Sequence, residues 1–150
     1  YQPPKNVTAV ISLHACDIAT DLALALRAIE ERWPLAEIVC TCVSGGAPDH
    51  ALGVLGRLAG ARASVRIVED DFEARVLHSG DAWEIYAAQG RRFSCIPLSD
   101  GTEVSERGFR WSVDHAQMPL LSDWGISNVV EASRACVCSH EGTIACWLFD

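Results

Sequence analysis

One stretch of the sequence places an aromatic ring and two polar side chains where they could bind a flat ligand. Trp111 follows Arg110, and its π-face could stack on an aromatic or cationic ring. Ser127 and Asn128 offer hydrogen-bond donors and acceptors to one edge of a heterocycle. These residues predict a small, nitrogen-containing ligand. Two structural explanations stay open here, with Trp111 as a core aromatic of a β-sandwich and the Ser-Asn pair as a plain turn.

The N-terminal half contains acids and glycines at positions typical of a metal or phosphate site. Asp17 and Asp21 flank the start of a predicted helix, where two carboxylates could hold Mg²⁺, a cation that prefers oxygen ligands. On spacing alone, a helix cap without any ligand is the more common explanation. Gly45 and Gly46 follow a predicted strand and precede a helix, so their backbone N–H groups could approach a phosphate. An ordinary loop explains such a pair at least as well.

Strand and helix patterns alternate over roughly the first 70 residues. Thr20 is a suitable N-cap for a first helix with Asp21 in its first turn, and Pro34 ends that helix. Near-continuous apolar runs, as expected of buried parallel strands, lie between the helices. The predicted strands are residues 7–13, 37–43 and 64–68. This order predicts an incomplete α/β layer of parallel strands and helices.

The second predicted helix begins with Asp49 as its cap and stops at Gly60. Its leucines recur at a helical spacing, so they are predicted to face the core together. These leucines are Leu52, Leu55 and Leu58.

From about residue 72 onward the apolar runs become short and are separated by turn residues, which is typical of an antiparallel β-sandwich. Trp83, Trp124 and Trp147 are predicted core residues of this sandwich. We therefore predict the C-terminal part of an α/β domain over residues 1–75 and a β-sandwich domain over residues 76–150. The predicted strands of the second half are residues 72–77, 82–87, 92–97, 103–107, 117–121, 134–139 and 143–149.

Composition argues for a globular protein with an acidic surface. The hydrophobic share is 49%, the charged share is 21% and the formal net charge is −8. This charge argues against nucleic acid and anionic membranes as partners, and no apolar run is long enough to span a membrane. An acidic surface suits a cationic ligand, but it also keeps many ordinary proteins soluble.

The cysteine pattern favours a reducing, cytoplasmic compartment. Seven cysteines form no Cys-x-x-Cys motif, and their number is odd. Cys40/Cys42 and Cys136/Cys138 each lie two residues apart in strand-like runs, so each pair is predicted to share a sheet face. A zinc site built from the two pairs is conceivable, whereas buried free thiols are the more common explanation.

Several short motifs occur in an order that resembles the thiamin-binding domain of the thiamin pyrophosphokinases. Each motif is weak alone, and their order over about 60 residues makes the resemblance fairly specific. Two further matches stand in the N-terminal half. The motifs are Thr20-Asp21-Leu22, Gly45-Gly46 with Asp49-His50 and Leu52, Phe93-Ser94, Pro97-Leu98, Gly108-Phe109-Arg110-Trp111, Gly125-Ile126-Ser127-Asn128 and Glu141-Gly142.

The resemblance implies an enzyme that transfers a diphosphate from ATP to the hydroxyl of thiamin, giving thiamin diphosphate and AMP in a Mg²⁺-dependent reaction. It also implies a homodimer with the site between subunits. By the same resemblance, two acidic segments, Asp-Gly-Gly and Gly-Asp-x-Asp-Ser, are expected before residue 1. The chain would then be a part of such an enzyme or a reduced relative.

The resemblance also assigns roles to individual residues. It implies that Asp21 is catalytic and that Asp17 and Asp21 bind the metal. The Ser-Asn pair is expected to read the aminopyrimidine ring, and the tryptophan is expected to pack on the ligand. The implied nucleotide-binding residues are Thr20, Gly45, Gly46, Asp49 and His50, and the implied thiamin-binding residues are Arg110, Trp111, Ser127 and Asn128.

Three residues depart from the family pattern and keep other functions open. Ile18 stands where an acid is usual, Ala47 where an arginine is usual and Val54 where an asparagine is usual. The loss of a fixed cation beside phosphates should weaken charge stabilisation. The alternative is therefore a catalytically impaired or non-catalytic relative that binds a thiamin-like ligand. A protein of this fold with an unrelated ligand is the third possibility.

Overall fold

The computed structural model describes residues 20–150, which are mostly β, with two helices and two sheets. The predicted strand at residues 7–13 and Asp17 lie outside the described residues. The helices are α1 (Asp21–Arg32) and α2 (Pro48–Ala59). The strands are β1 (Ile38–Cys40), β2 (Val65–Val68), β3 (Phe72–Leu77), β4 (Ala82–Tyr86), β5 (Arg92–Pro97), β6 (Thr102–Arg107), β7 (Val113–Met118), β8 (Gly125–Val129), β9 (Arg134–Glu141) and β10 (Ile144–Phe149).

Helix α1 forms as its sequence predicts. The Thr20 hydroxyl accepts a hydrogen bond from the Ala23 N–H at 3.3 Å, and Asp21 lies in the first turn, where the helix dipole favours an acid. The helix ends at Arg32, two residues before Pro34, and Leu26 is its buried residue. Neither helix in the described part of the chain is long and apolar enough to cross a membrane.

Helix α2 corrects two predictions. It begins at Pro48, so Asp49 lies inside the first turn, and the N-cap is Ala47, whose side chain makes no capping bond. Leu58 is buried, but Leu52 is 58% exposed. Residues spaced by three drift around a helix, so Leu52 lies about 120° away from Leu58 and leaves the buried stripe.

The two sheets differ in the direction of their strands. The six-stranded sheet has the order β1-β2-β3-β10-β5-β8, in which β1 and β2 are parallel and the other pairs are antiparallel. The four-stranded sheet has the order β4-β9-β6-β7 and is antiparallel throughout. Because the first sheet contains strands from both predicted domains, the boundary near residue 75 and the separate α/β layer stay predictions.

Three local predictions about strands were wrong. The predicted strand at residues 117–121 is instead β7, which ends at Met118 because Pro119 cannot donate to a ladder. The predicted strand at residues 37–43 shortens to Ile38–Cys40, since Cys42 has a left-handed backbone with φ of 57°. The plain-turn explanation of the Ser-Asn pair fails because both residues lie in β8.

A β-bulge of the same kind occurs in each of the two sheets. In the β5–β8 pair, two residues of β8 oppose Ser94, and in the β6–β7 pair, two residues of β7 oppose Ser105. Ser127 and His115 are the bulged residues with positive φ, at 64° and 51°. Each donates its backbone N–H to the opposing buried serine hydroxyl, at 3.1 and 3.0 Å. Serine therefore satisfies the donor that each bulge removes from its ladder.

The two sheets enclose one core, and the helices cover a second core on the six-stranded sheet. Trp83 is buried as predicted, and its ring contacts Phe93, which in turn lies 4.5 Å from the Phe109 ring, centroid to centroid. Trp147 is partly buried against the second core. Trp124 is 70% exposed, so its assignment to the core was wrong.

We expect Gly125→Ala to lower the free energy of unfolding by roughly 1–3 kcal/mol because it overpacks the β5–β8 contact. A Cβ at Gly125 would lie 2.4 Å from the Cys95 carbonyl oxygen. Gly56→Ala is the control, since a Cβ there, in α2, would meet nothing within 4 Å. We expect the control to stabilise the protein by about 0.5–1 kcal/mol. Urea unfolding measures both, and equal midpoints for Gly125→Ala and wild type would contradict the expectation.

Candidate functional site

A cavity of about 280 Å³ opens between β6, β7 and β8. Its walls are mainly apolar and its polar groups are few, as is common for sites that bind small molecules. The side chains that line it include Glu106, Trp111, Met118, Trp124, Ile126 and Asn128.

Two tryptophans at this cavity leave large aromatic surfaces in solvent. Trp111 is 59% exposed, and Trp124 and Ile126 are also exposed. The Arg110 guanidinium lies 5.7 Å from the centre of the Trp111 ring and pairs with Glu131 through an Nε–Oε1 contact of 2.9 Å. The exposed rings can stack on an aromatic or cationic ligand.

The Asn128 side chain uses its full hydrogen-bonding capacity inside the protein. Its Nδ2 donates to Glu106 Oε2 at 2.7 Å and to the Trp111 carbonyl at 2.9 Å. Its Oδ1 accepts from the N–H groups of Trp111 and Val129, at 3.1 and 2.9 Å. An amide offers two donors and two acceptor positions, so none of them remains for a ligand.

Glu106 is a buried carboxyl that lines the cavity. It is 3% exposed, and burial raises its pKa to about 7, while the hydrogen bond from Asn128 opposes that rise. Among residues 20–150, Asn128 is the hydrogen-bond partner of this side chain. A carboxyl of this kind changes its charge near neutral pH in direct contact with the cavity.

The structure brings only two of the predicted thiamin-binding residues to the cavity wall. Trp111 and Asn128 line it. Ser127 is exposed and belongs to the β8 bulge, where its N–H bonds Ser94, and Arg110 is engaged with Glu131. The roles of these residues stay predictions.

A second, open cleft of about 880 Å³ lies where α1 and α2 begin. All of the predicted nucleotide-binding residues that the structure describes line this cleft. They are Thr20, Gly45, Gly46, Asp49 and His50, and the predicted catalytic residue Asp21 lines the same cleft. The sequence motifs are separated along the chain, so their meeting in one cleft is a result of the fold.

The glycine loop of this cleft is fixed by Glu69, at the end of β2. The Glu69 carboxylate accepts N–H bonds from Cys42, Val43 and Ser44, at 3.1, 3.0 and 2.9 Å. These bonds, led by that of Ser44, hold the pKa of Glu69 below its ordinary value. The next residues, Gly45 and Gly46, have φ of 118° and 77°, which favours glycine. Phosphate contacts would therefore fall to the glycine part of the loop.

Sequence reasoning missed three residues at these two sites. Arg57 lines the cleft from α2, at the i+8 position from Asp49, and carries a positive charge that Ala47 does not. The helical spacing could have indicated it. Glu106 lies two residues after buried Val104 on β6, so the period-two pattern of a strand places this acid at an inward-facing position. An inward-facing acid was the signal that the sequence offered. No local pattern connects Glu69 with a loop 25 residues earlier.

The metal prediction can be examined for the described residues only. Within residues 20–150, no three His, Cys, Asp or Glu side chains form a group that could hold a metal ion. Mg²⁺ typically takes one or two protein carboxylates and completes its shell with phosphates and water. Asp21 lines the cleft, whereas Asp17 lies outside the described residues, so the two metal ligands stay a prediction.

The cysteines of the described region are free thiols. Cys136 and Cys138 lie on β9, whereas Cys40 ends β1 in the other sheet. Cys42 lies in the loop after β1, so the prediction that Cys40 and Cys42 share a sheet face is wrong. The four thiols form no metal group, consistent with the finding for the region as a whole.

Residues 84–144 match the family model of the thiamin pyrophosphokinase vitamin B1 binding domain. Over this segment the chain is similar to the thiamin pyrophosphokinases. The resemblance noted from the motifs is thereby confirmed. The match includes every residue that lines the smaller cavity, from Glu106 to Asn128. A comparison with curated protein sequences gives no match.

Solved thiamin pyrophosphokinases share the fold at low sequence identity. The Bacillus subtilis protein is 24% identical with a TM-score of 0.77, over 89% of this chain and 64% of that one. The Geobacillus thermodenitrificans protein is 23% identical with a TM-score of 0.74, over 91% and 64%. A thiamin pyrophosphokinase family protein from Enterococcus faecalis is 19% identical with a TM-score of 0.76, over 95% and 68%. The chain thus spans less than two thirds of the Bacillus subtilis protein.

We expect the stability of the protein to fall as pH rises from about 5 to 8. In the folded state Glu106 has a pKa of about 7, whereas the ordinary pKa of a glutamate is 4.5. The folded state therefore binds more protons than the unfolded state across this window. Stability is therefore highest below that window and declines by on the order of 3 kcal/mol through it.

Urea unfolding at several pH values measures this decline. Glu106→Gln should remove most of it, because an amide does not titrate. Glu31→Gln, on the surface of α1, is the control and should keep the wild-type decline. An equal decline in wild type and Glu106→Gln would show that another group causes it.

Proposed function

We propose that this chain is part of a thiamin diphosphokinase, a transferase that moves a diphosphate from ATP to the hydroxyl of thiamin and yields thiamin diphosphate and AMP. The observation that carries the proposal is the cavity with two exposed tryptophans and a buried carboxyl, which lies wholly inside the segment matched by the vitamin B1 binding domain. The cleft with the glycine loop supplies a second, separate place for the nucleotide.

The cavity suits the chemistry of thiamin. Its thiazolium ring is a permanent cation, which exposed Trp111 and Trp124 can hold against their π-faces. The net charge of −8 favours the approach of a cation. The aminopyrimidine ring is flat and carries hydrogen-bond donors and acceptors on one edge.

The cleft suits the polyphosphate of ATP. Gly45 and Gly46 let backbone N–H groups approach phosphate, and α2 begins directly after the loop, where its dipole favours an anion. We assign Arg57 as the cation of this cleft in place of the arginine that the family has at Ala47. Mg²⁺ bound with ATP would neutralise phosphate charge, with Asp21 and Asp17 as the proposed carboxylate ligands.

In the proposed reaction, the thiamin hydroxyl oxygen forms a bond to the β-phosphorus of ATP. The bond between that phosphorus and the oxygen bridging to the α-phosphorus breaks, and AMP leaves with the electron pair. The hydroxyl proton passes to a carboxylate, for which we assign Asp21. Thr20, Asp49 and His50 would position the nucleotide along the cleft.

We infer a homodimer in which one subunit brings its thiamin cavity to the nucleotide cleft of the other. Two observations support this arrangement. The cavity and the cleft share no lining residue, so a second copy is one way to bring the two ligands together. Trp111, Trp124 and Ile126 form an exposed apolar rim that a second subunit would cover.

Two further inferences concern the N-terminal elements and the cellular compartment. We infer that α1, α2 and the parallel β1–β2 pair are the remainder of an α/β nucleotide-binding layer. We also propose the cytoplasm as the compartment, in keeping with the free thiols of the described region.

A non-catalytic relative that binds thiamin-like ligands is the second candidate. Ala47 favours it, because the N-cap of α2 contributes neither a side-chain bond nor a charge where phosphate would lie. Thiamin binding would then persist without transfer.

We expect Trp111→Ala to weaken thiamin binding by about tenfold to a hundredfold, because the ring loses its stacking and cation–π contact. Isothermal titration of the purified protein with thiamin measures the change. Trp33→Ala is the matched control, since that tryptophan follows α1, away from the cavity. A wild-type protein that binds no thiamin would overturn the proposed function.

We expect Asp21→Asn in the full native chain to lower kcat at least a hundredfold and to leave the Kd for thiamin nearly unchanged. The carboxylate is assigned to the transfer step, and it lies in the cleft rather than the cavity. A coupled assay for AMP and a thiamin titration report the two quantities. Asp100→Asn, an exposed turn residue before β6, is the control. Thiamin binding by a wild-type full chain that releases no AMP would favour the non-catalytic candidate.

A further inference from the structure

The cavity contains one buried acidic side chain, Glu106, to which no role has yet been assigned. Glu106 is 3% exposed and lines the cavity. Asn128 donates to its Oε2, whereas Oε1 accepts no hydrogen bond from residues 20–150 and keeps some accessible surface. This free oxygen can accept a hydrogen bond from a ligand in the cavity.

The neighbouring asparagine cannot read the ligand while it holds this arrangement. All four hydrogen-bonding positions of the Asn128 amide are occupied by Glu106, Trp111 and the Val129 N–H. Freeing one of them for a ligand would leave its present partner without a hydrogen bond, which is unfavourable. Recognition of a polar ring edge therefore falls to the next polar group of the cavity, which is Glu106.

We propose that Glu106 is the specificity-determining residue of the cavity, and that its free carboxyl oxygen accepts a hydrogen bond from the exocyclic amino group of an aminopyrimidine ring. This inference rests on the proposed thiamin binding and names the group that reads the ring. Asn128 is then a positioning residue that orients Glu106 and holds the backbone of Trp111, so the carboxyl and the stacking ring are set by one side chain.

The chemistry of a carboxylate gives this site a clear preference. In its ionised form Glu106 is an acceptor only, so above its pKa it stabilises a ring that presents N–H donors and disfavours a ring that presents an oxo group at that position. A missing or reversed hydrogen bond at a buried polar group is discriminated far more strongly than a missing methyl group. The site should select 4-aminopyrimidines over their 4-oxo analogues.

The test compares thiamin with its 4-oxo analogue, oxythiamin, by isothermal titration of the full native chain at pH 8, where Glu106 is mostly ionised. We expect wild type to prefer thiamin at least tenfold. Glu106→Gln should reduce that preference at least tenfold, because its amide can also donate to an oxo group. Glu103→Gln is the matched control, since Glu103 lies on the same strand but bonds His115 and Gln117 and does not line the cavity. The control should keep the wild-type preference.

A second readout needs no variant and guards against a Glu106→Gln protein that does not fold. Glu106 has its pKa raised to about 7, and a hydrogen bond from the ligand amino group favours its ionised form. Thiamin binding between pH 6 and 8 should then release a fraction of a proton, measured by titration in buffers of different ionisation enthalpy. The titratable group that faces Glu106 from β10 is Cys146, whose thiol has its pKa raised well above the usual value by burial, so it stays neutral.

The outcomes separate the inference from the proposed function. If wild type binds thiamin but folded Glu106→Gln keeps the full preference over oxythiamin, the inference is overturned and thiamin binding stands. Thiamin binding without proton release at pH 7 counts against it in the same way. If wild type binds neither ligand, the proposed function and the inference both fall.

Discussion

The amide of Asn128 joins three parts of the chain at the edge of the cavity. Its hydrogen bonds tie β8 to Glu106 on β6 and to both backbone groups of Trp111, which lies in the connection between β6 and β7. Those two strands belong to different sheets, so this one side chain crosses between the layers of the sandwich. A polar network of this kind is stable only when every member is satisfied, and the asparagine meets that condition.

Irregular strand pairings in both sheets position the Asn128 side chain between the two layers. Gly125 brings β8 against β5 at a distance that no side chain permits, and the bulge opposite Ser94 then turns the chain before Asn128. On the other sheet, the bulge opposite Ser105 brings Val113 into register with Glu106. Each irregularity is satisfied by a buried serine hydroxyl, so the cavity is built from two breaks in regular pairing rather than from a flexible loop.

The sequence predicted much of this architecture, since period-two patterning and turn residues locate most strands of the second half. Strand β3 was predicted with its observed bounds, as was β5. The errors arise where tertiary context overrides a local pattern. Trp124 was assigned to the core on hydrophobicity alone, yet it lies at the rim of a cavity, and Leu52 was assigned by a spacing that drifts off the buried stripe.

The candidate site was predictable in part for the same reason. Trp111 and Asn128 were recognisable from their motifs, but their hydrogen bonds depend on a neighbour 22 residues away from Asn128 on the opposite sheet. Glu106 gave only the signal of an acid at an inward position, which a single sequence does not distinguish from an exposed strand residue. The proximity of Thr20, Gly45 and His50 around one cleft likewise depends on the packing of elements that are distant in the chain.

Glu69 affects how the cleft would bind the proposed nucleotide. A carboxylate from β2 already fills the turn that follows β1 with three amide bonds, so the glycine loop keeps its shape through contacts made during folding. The entropy of ordering that loop is therefore lost when the chain folds and not when a ligand arrives. If the cleft binds a nucleotide as proposed, its affinity is therefore set by the fit of the phosphates rather than by the cost of ordering the loop.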